Sequence, residues 1–287
     1  MKAVVFGASG TLGQALMAAL PACGYQVAGG FDRAACDIRD PAAVRAVLQR
    51  HAPTVLFNAA AYTDVDRAET EPDVAFAANA LAVETLARAA DAAGAALVHY
   101  STDFVFDGES ERPYDEFDPP SPQGLYARSK VAGERLAMSA SASRRLFILR
   151  VGCLYGRGGR NFPSTILRRL RAGEIVRADR ERLGSPTWVG EVARASAALA
   201  RTTHFGLYHC TSAGETSWAA FARFVADELG LPADRVDPLP TSALPMKAPR
   251  PRRAILDNRM LRLRGLDSLS HWQEAARAFI KSETQIG

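Results

Sequence analysis

Short apolar runs and longer alanine-rich stretches alternate through the first 150 residues. The runs Ala3–Phe6, Gln26–Gly29, Val55–Asn58, Leu97–Ser101 and Phe147–Arg150 are four or five residues long, the length and composition of strands in a parallel sheet. The stretches between them repeat apolar residues at helical spacing and start near Thr11, Pro41, Asp73 and Leu125. Thr11, and Asp40 before Pro41, suit helix N-termini. Strand-helix units joined by right-handed crossovers stack helices on both faces of one sheet, so the expected fold is α/β, doubly wound and Rossmann-type. After about residue 151 the pattern loosens. Helices are expected near Asn161–Ala172, Glu191–Arg201 and Ser217–Leu229, with a strand at Leu207–Cys210. Residues 238–253 carry five prolines and read as an extended loop. The expected division is a main domain over 1–150 and a smaller lobe over 151–287, some of whose segments return to the main sheet.

Composition narrows the class. With 287 residues, 48% hydrophobic and 23% charged, the chain can bury a large core, which excludes disorder, collagen and coiled coil. No apolar run approaches the roughly 18 residues of a membrane span, and the start MKAVVFGASG has no basic segment before an apolar stretch, so no membrane role and a cytoplasmic location are expected. Cys23, Cys36, Cys153 and Cys210 lack metal-ligand spacing and read as reduced thiols. His99 and His209 read as packed histidines, His51 and His204 as loop or helix-end residues and His271 as a surface position, so no metal site is expected. Trp188 and Trp218 read as packing residues, and the acidic stretch Asp107 to Asp118 as a solvated flap over the site. The net charge of +4 conceals a split, net −7 over residues 1–143 and net +11 over 144–287. The basic excess concentrates in 144–182 and 247–264, where Arg160, Arg250 and Arg252 are candidates to attract a diphosphate. The pI of about 9.0 comes without aromatic interleaving, so no nucleic-acid partner is expected. Only four lysines stand against 31 arginines, which raises the question of why each is a lysine.

The first strand runs into Gly7-Ala8-Ser9-Gly10-Thr11-Leu12-Gly13 and then an apolar helix. Glycines there give φ freedom, let backbone amides approach a pyrophosphate and aim the positive helix end at it. Asp32, at the end of the second strand, is placed to bind an adenosine ribose hydroxyl, whereas Arg33 beside it suits a 2′-phosphate. NADPH is the favoured cofactor, with NADH the alternative. A second signal is Tyr126-Ala127-Arg128-Ser129-Lys130, whose ends share one helix face, combined with Ser101-Thr102-Asp103 at the carboxyl edge of the sheet.

Together these segments resemble the extended branch of the short-chain dehydrogenase/reductase superfamily. The run Asn58 to Glu69, then Ser101 to Gly108, Tyr126 to Lys130 and Gly133-Glu134 is similar to the dTDP-4-dehydrorhamnose reductase family. Asn161-Phe162, Gly184 to Thr187, Gly214 to Trp218 and Leu256 to Asn258 extend the resemblance along nearly the whole chain. It implies hydride transfer from NADPH to the 4-keto carbon of a nucleotide-linked deoxy sugar, with Thr102, Tyr126 and Lys130 as the catalytic set. Tyr126 would donate the proton, Lys130 would favour its phenolate and hold the nicotinamide ribose, and Thr102 would orient the carbonyl. It also implies cofactor contacts from the glycine turn (Gly7, Ser9, Gly10, Thr11, Leu12, Gly13), from Asp32, Arg33, Asp37 and Ile38, and from Asn58, Ala59 and Ala60. Substrate contacts fall on Thr63, Val65, Asp103, Phe104, Cys153 and Asn161, joined by Arg250 from the basic stretch.

The chain departs from the family pattern at Phe104, usually Tyr, at Cys153, commonly Trp, and at Ala127, usually Gly. The first two change the pocket that selects the sugar, so dTDP-L-rhamnose is the expected product with the sugar left open. Two other functions stay in view: a regulatory subunit resembling the beta subunit of methionine adenosyltransferase, and a nucleotide-sugar epimerase or dehydratase. A homodimer and a magnesium dependence are left open.

Overall fold

The computed structural model describes residues 1–158 and 161–284. Six strands form the central sheet: β1 Lys2–Phe6, β2 Gln26–Phe31, β3 Val55–Asn58, β4 Ala96–Thr102, β5 Leu146–Val151 and β6 Gly206–His209. Their order across the sheet is β6-β5-β4-β3-β1-β2, and every pairing is parallel. The longer helices are α1 Thr11–Ala22, α2 Pro41–His51, a composite α3 over residues 72–92, α4 Leu125–Ala140, α5 Phe162–Arg171, α6 Val189–Leu199, α7 Trp218–Glu228 and α8 Trp272–Thr284.

Strand alternation explains the two cores. Ala3 and Val5 of β1, with Phe57, Val98 and Leu149 from neighbouring strands, meet Leu12, Leu16 and Leu20 of α1 and Val189 and Val192 of α6. The alternate residues Val4, Phe6, Leu56, Leu97 and Ile148 meet α2, α3 and α4 on the other face. Each fully buried Leu or Val contributes roughly 1.5–3 kcal/mol, which is why these strands read as unbroken apolar runs. The topology reverses between β1 and β3, opening a crevice at their carboxyl ends.

Two segments beyond residue 151 return to the main sheet: β6 pairs with β5, and α6 packs beside α1. The remaining later elements build their own core from Tyr155, Ile166, Leu170, Phe221, Trp272 and Phe279. It is completed by α8, an element that the sequence reading did not include. Residues 238–253 are mostly irregular, as expected, but their flanks pair: Val236–Leu239 with Val176–Asp179, and Arg253–Ala254 with Leu183–Gly184. The four cysteines are free thiols. No described helix is long and apolar enough to cross a membrane, and no group of three or more potential metal ligands exists among the described residues.

Candidate functional site

The glycine turn sits in the crevice between β1 and β3. Gly7 has φ +75°, and a Cβ there would lie 2.5 Å from the Ala60 backbone nitrogen, so only glycine fits. A Cβ on Gly13 would come within 2.0 Å of the Gly7 carbonyl; Gly13 thus lets α1 pack against the turn rather than lining the groove. Gly10, not Thr11, is the N-cap of α1 and offers no side-chain cap. The Gly10 carbonyl takes its bond from Gln14, so the amides of Thr11, Leu12 and Gly13 precede the intrahelical ladder and are free to face an anion. The Thr11 hydroxyl instead donates to the Gly158 carbonyl.

One groove runs across this turn. Its outer part, about 260 Å³, is lined by Gly7, Ser9, Gly10, Asp32, Arg33, Asp37, Ile38, Ala59 and Ala60. Its inner part, about 390 Å³, is lined by Gly10, Thr11, Leu12, Asn58, Ala59, Ala60, Thr63, Thr102, Asp103, Tyr126, Lys130, Cys153 and Asn161. The two parts adjoin, sharing Gly10, Ala59, Ala60 and Ala61 in their walls. Asp32 spends one carboxyl oxygen on the Ala34 and Ala35 amides, closing its own turn. Asp37 is held by Arg39, whose hydrogen bonds lower it to about 2. Arg33 is 78% exposed and only loosely paired with Asp37, at 3.6 Å, so this end of the groove has a cation to offer.

At the inner end, α4 carries Tyr126 and Lys130 one turn apart, and β4 delivers Thr102 opposite them. Lys130 is 2% exposed and donates to the Tyr100 carbonyl at 2.6 Å. Burial lowers it to about 8, against the opposing pull of Glu134. Tyr126 differs from expectation. Loss of solvation pushes its phenol up to about 12, partly offset by the Thr102 hydroxyl. In the protein itself Tyr126 is therefore a neutral phenol, a form suited to donating a proton rather than accepting one.

On the substrate side, Asp103 is buried, with one carboxyl oxygen 2.9 Å from the Thr102 hydroxyl oxygen. Cys153 adopts φ +49°, and a Cβ on Gly184 would approach its sulfur to 2.7 Å. Asn161 caps α5 through the Ser164 amide. Three expected residues lie off the groove wall. Phe104 meets Tyr126 edge-on, with ring centroids 6.1 Å apart. Val65 opens the short helix Val65–Ala68. Arg250 is engaged by Asp66 through two bonds of 2.9 Å, and the Lys247 and Ala248 amides share the same carboxylate.

The acidic stretch is not a solvated flap. Glu116 is buried, accepting the His209 and Met260 amides, while Asp115 and Asp118 pair with Arg259 and Arg112. No residue from 107 to 118 lines the groove. Part of the basic excess is spent on pairing: Arg150 with Glu134, Arg250 with Asp66 and Arg259 with Asp115 each join the positive half to the negative one. Arg252 is exposed and off the groove wall, and Arg160 lies outside the described residues. His99 and His209 are fully buried, and Trp218 packs on Phe162 and Phe221. Trp188 lies under the Arg194 guanidinium, away from the inner groove.

Three supporting residues were not anticipated. A π-helical turn, Ala77–Leu81, interrupts α3 and aims Asn79 inward, where it bonds both backbone groups of Tyr62 and the Ser129 hydroxyl. A Cβ on Gly133 would lie 2.0 Å from the Asn79 carbonyl, which accounts for the glycine in α4. Glu69 accepts the Leu125 amide at the start of α4. Glu134 forms a buried two-bond pair with Arg150, anchoring α4 to β5. The visible signal was polarity at helix positions that should be apolar.

A doubly wound parallel sheet with a glycine turn at its switch point and a Tyr–Lys pair beside it defines a Rossmann-type oxidoreductase. The chain belongs to the family described as RmlD substrate binding domain, whose model matches residues 1–285. It is 39% identical over 277 residues to a dTDP-4-dehydrorhamnose reductase of Streptomyces griseus, covering 95% of this chain and 90% of that one. It is 37% identical over 272 residues to a dTDP-4-keto-6-deoxy-D-glucose reductase of Streptomyces niveus, covering 95% and 94%. Among solved structures, a dTDP-4-dehydrorhamnose reductase from Bacillus anthracis in complex with NADP superposes with TM-score 0.93 at 34% identity, covering 98% of this chain and 99% of that one.

Proposed function

We propose that the chain is an NADPH-dependent reductase of a nucleoside-diphosphate 4-keto-6-deoxy sugar, with dTDP-4-dehydro-L-rhamnose as substrate and dTDP-L-rhamnose as product. The observation that carries this reading is the groove, which joins the glycine turn at one end to Thr102, Tyr126 and Lys130 at the other. Family membership and the named relatives support it. The cofactor fits the observed donors: free amides at the start of α1 for the pyrophosphate, and exposed Arg33 for a 2′-phosphate. When bound, NADPH supplies the hydride.

The chain's own residues manage the oxygen. Reduction of a ketone builds negative charge there, and the neutral Tyr126 phenol supplies the proton. Lys130 places an ammonium on the same helix face and suits ribose hydroxyls, for which a compact point charge is better than a guanidinium. Thr102 holds the carbonyl and Tyr126 in register. Asp103, Cys153, Thr63 and Asn161 border the sugar, while Arg250 holds the loop over 247–250 rather than the substrate. The segment with its own core, around α5, α7 and α8, serves as the sugar-side lobe.

The test is NADPH oxidation against a panel of dTDP- and UDP-linked 4-keto sugars, with product stereochemistry determined. Turnover with dTDP-4-dehydro-L-rhamnose is expected. Tightly held NAD with no net NADPH consumption would point to an epimerase or dehydratase instead.

A further inference from the structure

Thr102 has a single hydroxyl proton and more neighbours than it can serve. Its oxygen accepts the Phe104 amide at 3.2 Å and lies 2.9 Å from the near oxygen of Asp103. Tyr126 lines the same stretch of the groove. If Asp103 is a carboxylate, the Thr102 proton is committed to it and is not available to Tyr126 or the ketone oxygen. The Asp103 surroundings oppose that form. The side chain is 3% exposed, its far oxygen has no hydrogen-bond partner, and that oxygen lies 2.7 Å from where a Cβ on Gly152 would stand. A buried, unpartnered carboxylate oxygen is costly, whereas a neutral carboxyl loses little there.

We propose that Asp103 is a positioning residue that acts in its neutral form: by donating its carboxyl proton to Thr102 it turns the Thr102 proton into the groove, toward Tyr126 and the ketone oxygen. No bond to the substrate forms or breaks at Asp103; it sets which way one hydroxyl points. Burial raises this carboxyl to about 7, so the arrangement is lost as pH rises through that value. The groups facing it are Tyr126 from α4 and the Cys153 thiol after β5, with Arg182 beyond Cys153 already paired to Asp179. Lys130, lowered to about 8, titrates in a separate and higher window.

The inference rests on the reductase reading, and its test separates the two. In wild type, kcat with NADPH and a 4-keto nucleotide sugar should fall above about pH 7 while KM for NADPH holds steady. In Asp103→Asn, whose amide can donate to Thr102 at any pH, kcat should no longer depend on pH between about 6 and 7.5. The decline near pH 7 should vanish, leaving only the fall near pH 8. Retention of the pH 7 decline in Asp103→Asn overturns the proposal. If that variant does not fold, Thr102→Val must lose the same decline, because the carboxyl then has no hydroxyl to turn; persistence there is equally fatal. Infrared titration of wild type without substrate reads the carboxyl directly, and an ionised Asp103 at about pH 6 also overturns the proposal. Absence of NADPH oxidation by wild type at every pH would instead sink the reductase reading, leaving the infrared result to stand for Asp103 alone.

Discussion

The two ends of the groove are built by opposite means. At the dinucleotide end, backbone does the positioning: one seven-residue turn and the start of α1 present amides, and the glycines are there because a Cβ would strike Ala60 or the Gly7 carbonyl. At the sugar end, side chains do it, drawn from β4, α4, the segment after β5 and the N-cap of α5. Local geometry survives drift in distant parts of the chain. A pocket assembled from scattered side chains changes with each of them, and residues such as Phe104 and Cys153 alter it one at a time. The expectation is a conserved chemistry with an adjustable substrate, consistent with relatives named for two different sugars.

The sharpest way to separate the ends is Tyr126→Phe. It removes the proton donor while leaving every amide of the turn in place, so kcat should fall by roughly 10²- to 10⁴-fold. NADPH affinity, followed by fluorescence titration, should stay within about threefold. Near-normal turnover would remove Tyr126 from the reaction.

The converse change is Gly7→Ala. The methyl group meets Ala59 and Ala60 backbone at 2.5–2.7 Å in a left-handed conformation, so the turn must shift. Strain of this kind costs about 1–3 kcal/mol. NADPH affinity should weaken by at least about tenfold, with a lower melting temperature, and saturating NADPH should restore most of kcat. An unchanged NADPH affinity would show that the turn is not the dinucleotide site.

This contrast also decides what could be read from the chain. The glycine turn, the strands and the Tyr126–Lys130 pair were legible because each is encoded within a few residues. Strand and helix boundaries fell within two positions of those expected, with β2 running on two residues to Phe31. The Arg250–Asp66 clamp, the burial of Glu116 and the roles of Asn79 and Glu134 were not legible, since each depends on a partner from a distant part of the fold or on a π-turn with no sequence signature. The direction of the Tyr126 shift depends on the same distant packing, while its expected role as proton donor is unchanged. Spacing places Lys130 one turn away, but only the packed site shows that loss of solvation raises the phenol. Helix α8 is legible from Trp272, Ala275, Ala276, Phe279 and Ile280 at helical spacing, all of them buried.

A smaller effect is expected at the adenosine end. Arg33→Ser removes the exposed cation beside the groove without touching the turn, so KM for NADPH should rise several-fold, by about 1 kcal/mol, while KM for NADH changes little. Equal changes for both cofactors would mean that Arg33 does not meet a 2′-phosphate.

The smallest effect lies at the seam between the ends, where Asp66 holds Arg250 and the Lys247 and Ala248 amides. The Arg250 hydrogen bond is the largest cause that keeps the Asp66 carboxyl well below its ordinary value of 3.8. A carboxyl lowered on folding stabilises the fold fully above the unfolded value, and that contribution is lost as pH falls through the folded one. Asp66→Asn should therefore lower the melting temperature by about 2–4 °C at neutral pH, as expected for roughly 1 kcal/mol in a partly exposed pair. The gap to wild type should stay constant down to about pH 5 and narrow below it as the wild-type carboxylate takes up its proton. Because Asp66 touches the loop and not the groove, kcat should hold while KM for the sugar rises modestly. A gap that widens in acid would mean that the pair is not what secures this seam.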